Sequence, residues 1–292
     1  MSLVELLRGI TWIERTDLID ELLEQELTVS KLPSGLEAKV MKYSSSTNSV
    51  VLKLWDKESD PDVRFQHVLL SALRHRGISV SGSYGWGYTA SNHKVLLTSF
   101  DGSPISILTD QIVKDLADLL LRLHQVSLHE LDSTLHQKYD FIPYFYPGLE
   151  EHQDIQAELV QLVNSSNLQQ NTFIHGDFNL GNILDDQGKY TIIDWTNAQL
   201  GDARYDLAWA SFLINLYNGE ELAAAFRNAY LSKSEFDMEE IQRFEAIACL
   251  RWLLLSRITD VPKNEKTIEQ INEIIIKNKH LNTKLTLMQQ QS

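Results

Sequence analysis

Phe173-Ile174-His175-Gly176-Asp177-Phe178-Asn179-Leu180-Gly181-Asn182-Ile183-Leu184 decides the reading of this chain, together with its continuation Asp185-Asp186-Gln187-Gly188-Lys189-Tyr190-Thr191-Ile192-Ile193-Asp194-Trp195. An apolar run enters a polar loop carrying Asp177 and Asn182, and a second apolar run leaves it. Asp185 to Lys189 has turn composition and brings in a third run ending at Asp194. Short apolar runs bounded by turn residues predict strands. Three oxygen-bearing side chains, Asp177, Asn182 and Asp194, are therefore expected at the end of one small sheet.

Such a set suits phosphoryl transfer. Hard Mg²⁺ ions take oxygen ligands and bridge nucleotide phosphates, and an Asn and an Asp on adjoining loops supply that chemistry. A separate carboxylate must orient the acceptor hydroxyl and take its proton. Asp177 stands five residues before Asn182, the spacing that protein kinases use between these two groups.

His175-Gly176-Asp177-(x)4-Asn182, then Ile193-Asp194-Trp195, then Gly201-Asp202-(x)3-Asp206-Leu207-Ala208, resembles the signature of the aminoglycoside phosphotransferase and choline kinase superfamily. Any one of these polar residues alone would read as a loop or turn residue; the ordered set is specific. The resemblance implies an α+β, two-lobed protein-kinase-like fold, with an N-terminal antiparallel sheet plus a helix and a larger, mainly helical C-terminal lobe. It also implies ATP or GTP as co-substrate with Mg²⁺. Asp177 would be the catalytic base and Asn182 and Asp194 the metal ligands. His175 would brace the loop, and Asp206 would accept hydrogen bonds from its backbone.

The resemblance extends over about residues 28–258. Lys53, in Val50-Val51-Leu52-Lys53-Leu54, resembles the strand lysine that contacts the nucleotide phosphates. Ser34 and Gly35 fall in the phosphate-covering loop. Thr98, Ser99 and Phe100 would form the hinge whose backbone binds the purine. Gln66 stands where a helix glutamate normally pairs with the lysine, and a neutral amide lacks the charge assistance. Either Gln66 fills that place more weakly, or Asp62 one turn earlier does, or the alignment shifts. Thr196 and Asn197 occupy positions often acidic in relatives.

The expected organisation is an N-terminal nucleotide-binding lobe over 1–98, a hinge over 99–104 and a catalytic, acceptor-binding lobe over 105–292. Residues 3–27 have helical spacing and predict one or two helices. Runs at 37–43 and 49–55 flank Ser44-Ser45-Ser46-Thr47-Asn48 and predict a hairpin. A helix through Arg76 follows, ended by Gly77. Two strands lie over 78–100, with Gly82, Gly85 and Gly87 as turns. The apolar period of 109–126 predicts a helix, and further helices are expected at about 204–217, 219–231, 238–258 and 263–280. Asp237 and Glu240 form a capping-box pattern for the third of these.

The 292 residues carry 40 acidic and 26 basic side chains, a formal net charge of −14. Residues 131–292 hold 23 of the acidic and 13 of the basic groups, so most of the excess lies there. That balance disfavours nucleic acid and anionic membranes as partners. It serves solubility and also attracts a cationic acceptor. A single cysteine, Cys249, in an apolar helical run predicts an inert buried thiol and fits a reducing cytoplasm. The charged N-terminus is unlike a signal peptide, and no apolar run reaches the ~18 residues of a membrane span.

The resemblance implies a small-molecule hydroxyl as acceptor. The resemblance offers antibiotics such as aminoglycosides first, and metabolites such as choline, homoserine, thiamine or a sugar second. Candidate acceptor contacts are the acidic Asp202, Glu220, Glu239 and Glu245 and the aromatic Trp195, Tyr144 and Tyr146, with Trp209 and Trp252 read as core. A non-catalytic, nucleotide-binding pseudokinase is the alternative from another class, supported by Gln66 alone. A protein kinase is disfavoured, because the 12 positions from Asp194 to Asp206 leave no peptide-docking segment. A monomer or a homodimer is expected.

Overall fold

The chain begins with α1 (Leu3–Arg8), β1 (Thr11–Arg15) and α2 (Asp17–Leu23). It continues through β2 (Thr28–Lys31), β3 (Ala38–Ser44), β4 (Ser49–Trp55), α3 (Val63–His75), β5 (Ser83–Tyr88), β6 (Lys94–Ser99) and β7 (Ser103–Pro104). Next come α4 (Asp110–His124), α5 (Phe141–Phe145), α6 (Gln153–Ser165), β8 (Thr172–Ile174), β9 (Ile183–Asp186), β10 (Lys189–Ile192) and β11 (Gln199–Gly201). Helices α7 (Ala203–Asn218), α8 (Glu220–Leu231), α9 (Met238–Ile258) and α10 (Glu265–Lys277) complete it. The computed structural model describes residues 3–32, 38–56, 61–282 and 285. Two compact units emerge: residues 1–104 with 183–196, and residues 105–182 with 197–292.

In the first unit, six antiparallel strands lie in the order β1-β5-β6-β4-β3-β2. The expected hairpin is β3 and β4, paired from Ala38–Trp55 to Ser44–Ser49. Side chains alternate across a strand, so Val50, Leu52 and Leu54 of β4 enter a core with Met41, Tyr43, Val95 and Leu97, while Lys53 takes the opposite face. Ile19 and Leu22 of α2 close that core. Asp62 starts α3 by accepting from Phe65 N at 2.8 Å, and Gly77 stops it at φ +76°.

Three expectations need correction here. Residues 11–15 are strand β1, not helix, because β5 offers them a bare backbone. A Cβ at Gly87 would stand 2.2 Å from Thr11 O, and one at Gly85 2.8 Å from Glu14 O. Those two glycines are thus strand residues that admit a neighbour, not turns. The strands around Asp177 also do not form one sheet: β8 pairs with β11, whereas β9 pairs with β10 and β7. Finally, 183–196, assigned by sequence to the C-terminal lobe, clusters with the first unit. The β7–β9 pairing and the bond from Ile192 N to Ser79 O, 2.9 Å, account for it.

The second unit is mainly helical. Its core runs through α7 and α9, with Tyr205, Trp209, Phe212, Phe244, Ile247, Leu250 and Trp252 buried. Asp202 caps α7 through Arg204 N at 2.9 Å, and Asp237 with Glu240 makes the capping box of α9. Cys249 lies fully inside, where burial raises its thiol. Among the described residues no helix is long and apolar enough to cross a membrane.

Gly87→Ala is expected to destabilise the protein by about 1–3 kcal/mol, the usual cost of forcing an atom into a packed contact. Urea unfolding of the purified variant checks this. An unchanged midpoint would mean that β1 does not hold its place against β5.

Candidate active site

The loop after β8 belongs to the second unit. Gly176 sits at φ +78°, and a Cβ there would lie 2.5 Å from Asn197 O, so only glycine fits. Asp206, in the first turn of α7, is fully buried. Its carboxylate accepts from His175 N at 2.7 Å and Gly176 N at 2.9 Å. His124 Nε2 approaches it at 3.2 Å, and His124 Nδ1 lies 2.6 Å from the Tyr230 hydroxyl. A neutral imidazole protonated at Nε2 satisfies both contacts. Burial works to raise the Asp206 carboxyl, but the His124 bond, the neighbouring histidines and the backbone donors carry it below the usual range.

Asp177 follows on this clamped loop. Its Oδ1 accepts from Trp209 Nε1 at 2.8 Å, and its Oδ2 from Asn182 Nδ2 at 3.1 Å. The Asn182 nitrogen also donates to Asp177 O at 2.9 Å. With the amide hydrogens spent on Asp177, the Asn182 oxygen is the end available to a hard cation. Asp177 N donates to His175 Nδ1 at 3.2 Å, and Asn179 Nδ2 reaches Asp177 O at 3.0 Å.

The first unit carries the other expected groups. Asp194 adopts a left-handed backbone, φ +64°, a conformation that costs a non-glycine residue and that Asp tolerates better than most. Thr196 Oγ1 donates to its Oδ1 at 3.1 Å, and Lys53 Nζ lies 3.5 Å from the same oxygen. Gln66 is buried on α3 but forms no hydrogen bond with Lys53 among the described residues, and Asp62 serves as the helix cap. The acid that pairs with the strand lysine in this unit is therefore Asp194. Ser34 and Gly35 lie outside the described residues. At the expected hinge, Thr98 is buried, Ser99 N donates to Gly82 O at 2.8 Å, and Phe100 N donates to Ser49 O at 3.2 Å. Two of the three amides assigned to the purine are thus spent within the sheet.

The acceptor candidates are mostly occupied structurally. Tyr146 is core, donating to Ile247 O at 2.8 Å. Trp195 is buried in the first unit, its Nε1 on Ile192 O at 3.2 Å. Asp202 accepts from Gln169 N, from Arg204 N and from the Arg204 guanidinium. Glu239 pairs with Lys279 and His280. Tyr144 remains half-exposed, stacked on Tyr139 at 4.7 Å and bonded to Asn197 Oδ1 at 3.3 Å. Trp209, read as core, is buried and also bonds Asp177. Its place one turn after Asp206 was the signal for it; Arg251, which donates to Gly176 O at 3.0 Å, has no such signal in its local sequence. A cavity of about 180 Å³ between α7, α8, α9 and α10 is lined by two further acidic acceptor candidates, Glu220 and Glu245, both of them paired with Arg227.

An antiparallel sheet with helices α1 to α3, a helical second unit and a carboxylate loop clamped from α7 define a phosphotransferase of protein-kinase-like fold. The model of the phosphotransferase enzyme family (APH) matches residues 28–244, and the chain belongs to that family. It is a phosphotransferase with a hydroxyl as acceptor. The curated proteins give no match. Among solved structures, an amicoumacin kinase in complex with AMP-PNP and Ca²⁺ is similar at TM-score 0.68 and 14% identity, over 93% of each chain. The choline kinase of Streptococcus pneumoniae is similar at 0.60 and 16%, over 89% of this chain and 95% of that one. The ethanolamine kinase of Plasmodium vivax is similar at 0.60 and 16%, over 88% and 83%.

Asp206→Asn leaves one acceptor oxygen for two amides and is expected to cost about 1–3 kcal/mol. The sign with pH follows from the lowered carboxyl. Its contribution is complete above the unfolded value of 3.8 and is lost as pH falls through the lower folded value. Urea unfolding between pH 3 and 6 should show a steeper acid decline for wild type than for Asp206→Asn. Parallel curves would contradict the ionised clamp.

Proposed function

We propose that this chain is an ATP- or GTP-dependent, Mg²⁺-requiring small-molecule kinase that phosphorylates a hydroxyl of an amine-bearing acceptor. The observation that carries it is the Asp177 carboxylate, held on one oxygen by Trp209 and on the other by Asn182. A carboxylate so oriented accepts the acceptor's hydroxyl proton as the oxygen attacks the γ-phosphorus.

The donor set suits Mg²⁺. Among the described residues, no group of three His, Cys, Asp or Glu forms a self-sufficient cation site. Mg²⁺ bound with nucleotide needs only one or two protein oxygens, the rest coming from phosphates and water. The proposed donors are the Asn182 oxygen and the Asp194 carboxylate. When bound, the cation supplies charge neutralisation on the phosphates. Lys53 adds a second positive group there, exchanging its Asp194 partner in part for phosphate oxygen. Ser34 and Gly35 remain the proposed phosphate cover, and residues 98–102 the purine-binding segment, with the Asp101 and Gly102 amides as donors in place of those of Ser99 and Phe100. His175 and Asp206 support the loop.

For the acceptor, an aminoglycoside-type antibiotic ranks first and a choline-like metabolite second. The excess of carboxylates in residues 131–292 supports a cationic acceptor, and the similar proteins named above include an amicoumacin kinase, an ethanolamine kinase and a choline kinase. Tyr144 is a candidate contact that stays partly exposed. An antibiotic acceptor would make the protein a resistance enzyme.

A nucleotide-consumption screen with ATP and GTP against aminoglycosides, other antibiotics, choline, homoserine, thiamine and sugars tests the reading. Absence of turnover with every acceptor would count against it, and nucleotide binding without turnover would favour a binding module. With an acceptor in hand, Asp177→Asn is expected to retain nucleotide binding and lose about 10²–10⁴-fold in kcat, the range for a positioned proton acceptor. Asp194→Ala is expected to abolish the Mg²⁺-dependent thermal shift by nucleotide. Normal turnover by the Asp177 variant would remove it from the reaction.

A further inference from the structure

Arg251 lies in the second half of α9, and only 7% of it is exposed. Its hydrogen bonds go to neutral groups: Nη1 donates to Gly176 O at 3.0 Å and to the Tyr205 hydroxyl at 2.8 Å. Among the described residues its Nε has no hydrogen-bond partner. Three rings enclose the guanidinium, with the carbon Cζ 4.2 Å from the Trp209 centroid, 4.8 Å from Phe145 and 5.9 Å from Tyr205.

A guanidinium buried in this way costs free energy that an aliphatic side chain would not. Leu or Met would fill the same space among the same rings. The groups that Arg251 touches point to a different purpose. Gly176 is the residue before Asp177, and the preceding peptide, between His175 and Gly176, is held by Asp206 through the Gly176 N–H. Trp209 donates to the Asp177 carboxylate. The guanidinium thus grips both the peptide that leads into Asp177 and the ring that holds its side chain. Burial opposes the charge on Arg251, while Tyr205 and Asp177 nearby favour it.

We propose that Arg251 is a positioning residue for phosphoryl transfer: by fixing the Gly176 carbonyl and the Trp209 ring, it sets the direction of the Asp177 carboxylate. The inference rests on the role given to Asp177 above. Arg251 touches neither nucleotide nor acceptor in this account, so it acts on kcat and leaves nucleotide affinity alone. The planar fork matters as well as the charge, since its Cζ lies over the Trp209 ring while Nη1 reaches Gly176 O; a lysine keeps the charge but has a single donor nitrogen and no planar face.

The test uses the full chain, Mg²⁺-ATP and an acceptor found by the screen, with thermal unfolding measured on each variant. Arg251→Met is expected to lower kcat about 10–100-fold, the scale of a small misplacement of a reacting group, with the nucleotide KM unchanged. Arg251→Lys is expected to recover part of the loss, and it carries the test if Arg251→Met fails to fold. Trp209→Phe keeps a ring under the guanidinium and removes the donor to Asp177. If Arg251 acts through Trp209, the double variant Arg251→Lys with Trp209→Phe loses much less than the product of the single losses. Three outcomes overturn the inference: a folded Arg251 variant with wild-type kcat, a kcat that falls only with the fraction folded, or full additivity with Trp209→Phe. Wild-type turnover beside unaffected Arg251 variants sinks this inference alone. A wild-type chain without turnover sinks the kinase reading and this inference with it.

Discussion

Asp206 has no solvent exposure, and its carboxylate binds the amides of His175 and Gly176. A buried carboxylate is expensive unless its lone pairs are filled. Here the two amides and His124 fill them, and Tyr230 in turn bonds the histidine. The result ties α4, α7 and α8 to one loop. Remove that charge and the loop after β8 loses the anchor that makes its geometry single-valued. Gly176 supplies the complementary constraint, because its left-handed backbone lies against Asn197 O, where no side chain fits. Asp177 inherits its direction from this arrangement, so the chemistry of the second unit depends on a group that takes no part in it.

The first unit solves a different electrostatic problem. Lys53 is mostly buried on a sheet face, and Asp194 is the carboxylate beside it. The pair sets a cation beside an anion at less cost than leaving either alone, and in the proposed reaction the two would exchange partners for phosphate and metal. Asp194 accepts a left-handed backbone in the bargain. Such local strain persists where the surroundings over-determine a conformation, and it concentrates at functional residues. The pairing of β9 with β7 is what carries Asp194 into this unit.

Much of the fold was legible because its signals are local. The hairpin at residues 38–55, the Asp62 cap, the Gly77 stop and the capping box of α9 each follow from a few adjacent residues. What failed was non-local. Strand β1 sits between two short helices and resembles them in spacing; it becomes a strand because Gly85 and Gly87, far along the chain, let a backbone approach. The proposed roles of Asp202, Tyr146 and Glu239 rested on residue type, and type does not tell whether a carboxylate is spent on a cap, a phenol on a core carbonyl, or a surface acid on a lysine.

Taken alone, the sequence singled out the candidate loop, because the ordered motifs along residues 175–208 are specific where each polar residue by itself is not. It also determined the family-level fold, through ordered motifs and local propensity. Only the tertiary structure decided who holds those oxygens in place. Trp209 and Arg251 reach the Asp177 loop across 32 and 75 residues of chain. Contacts made at that separation come from packed helices and leave no periodicity or motif in the segments that make them.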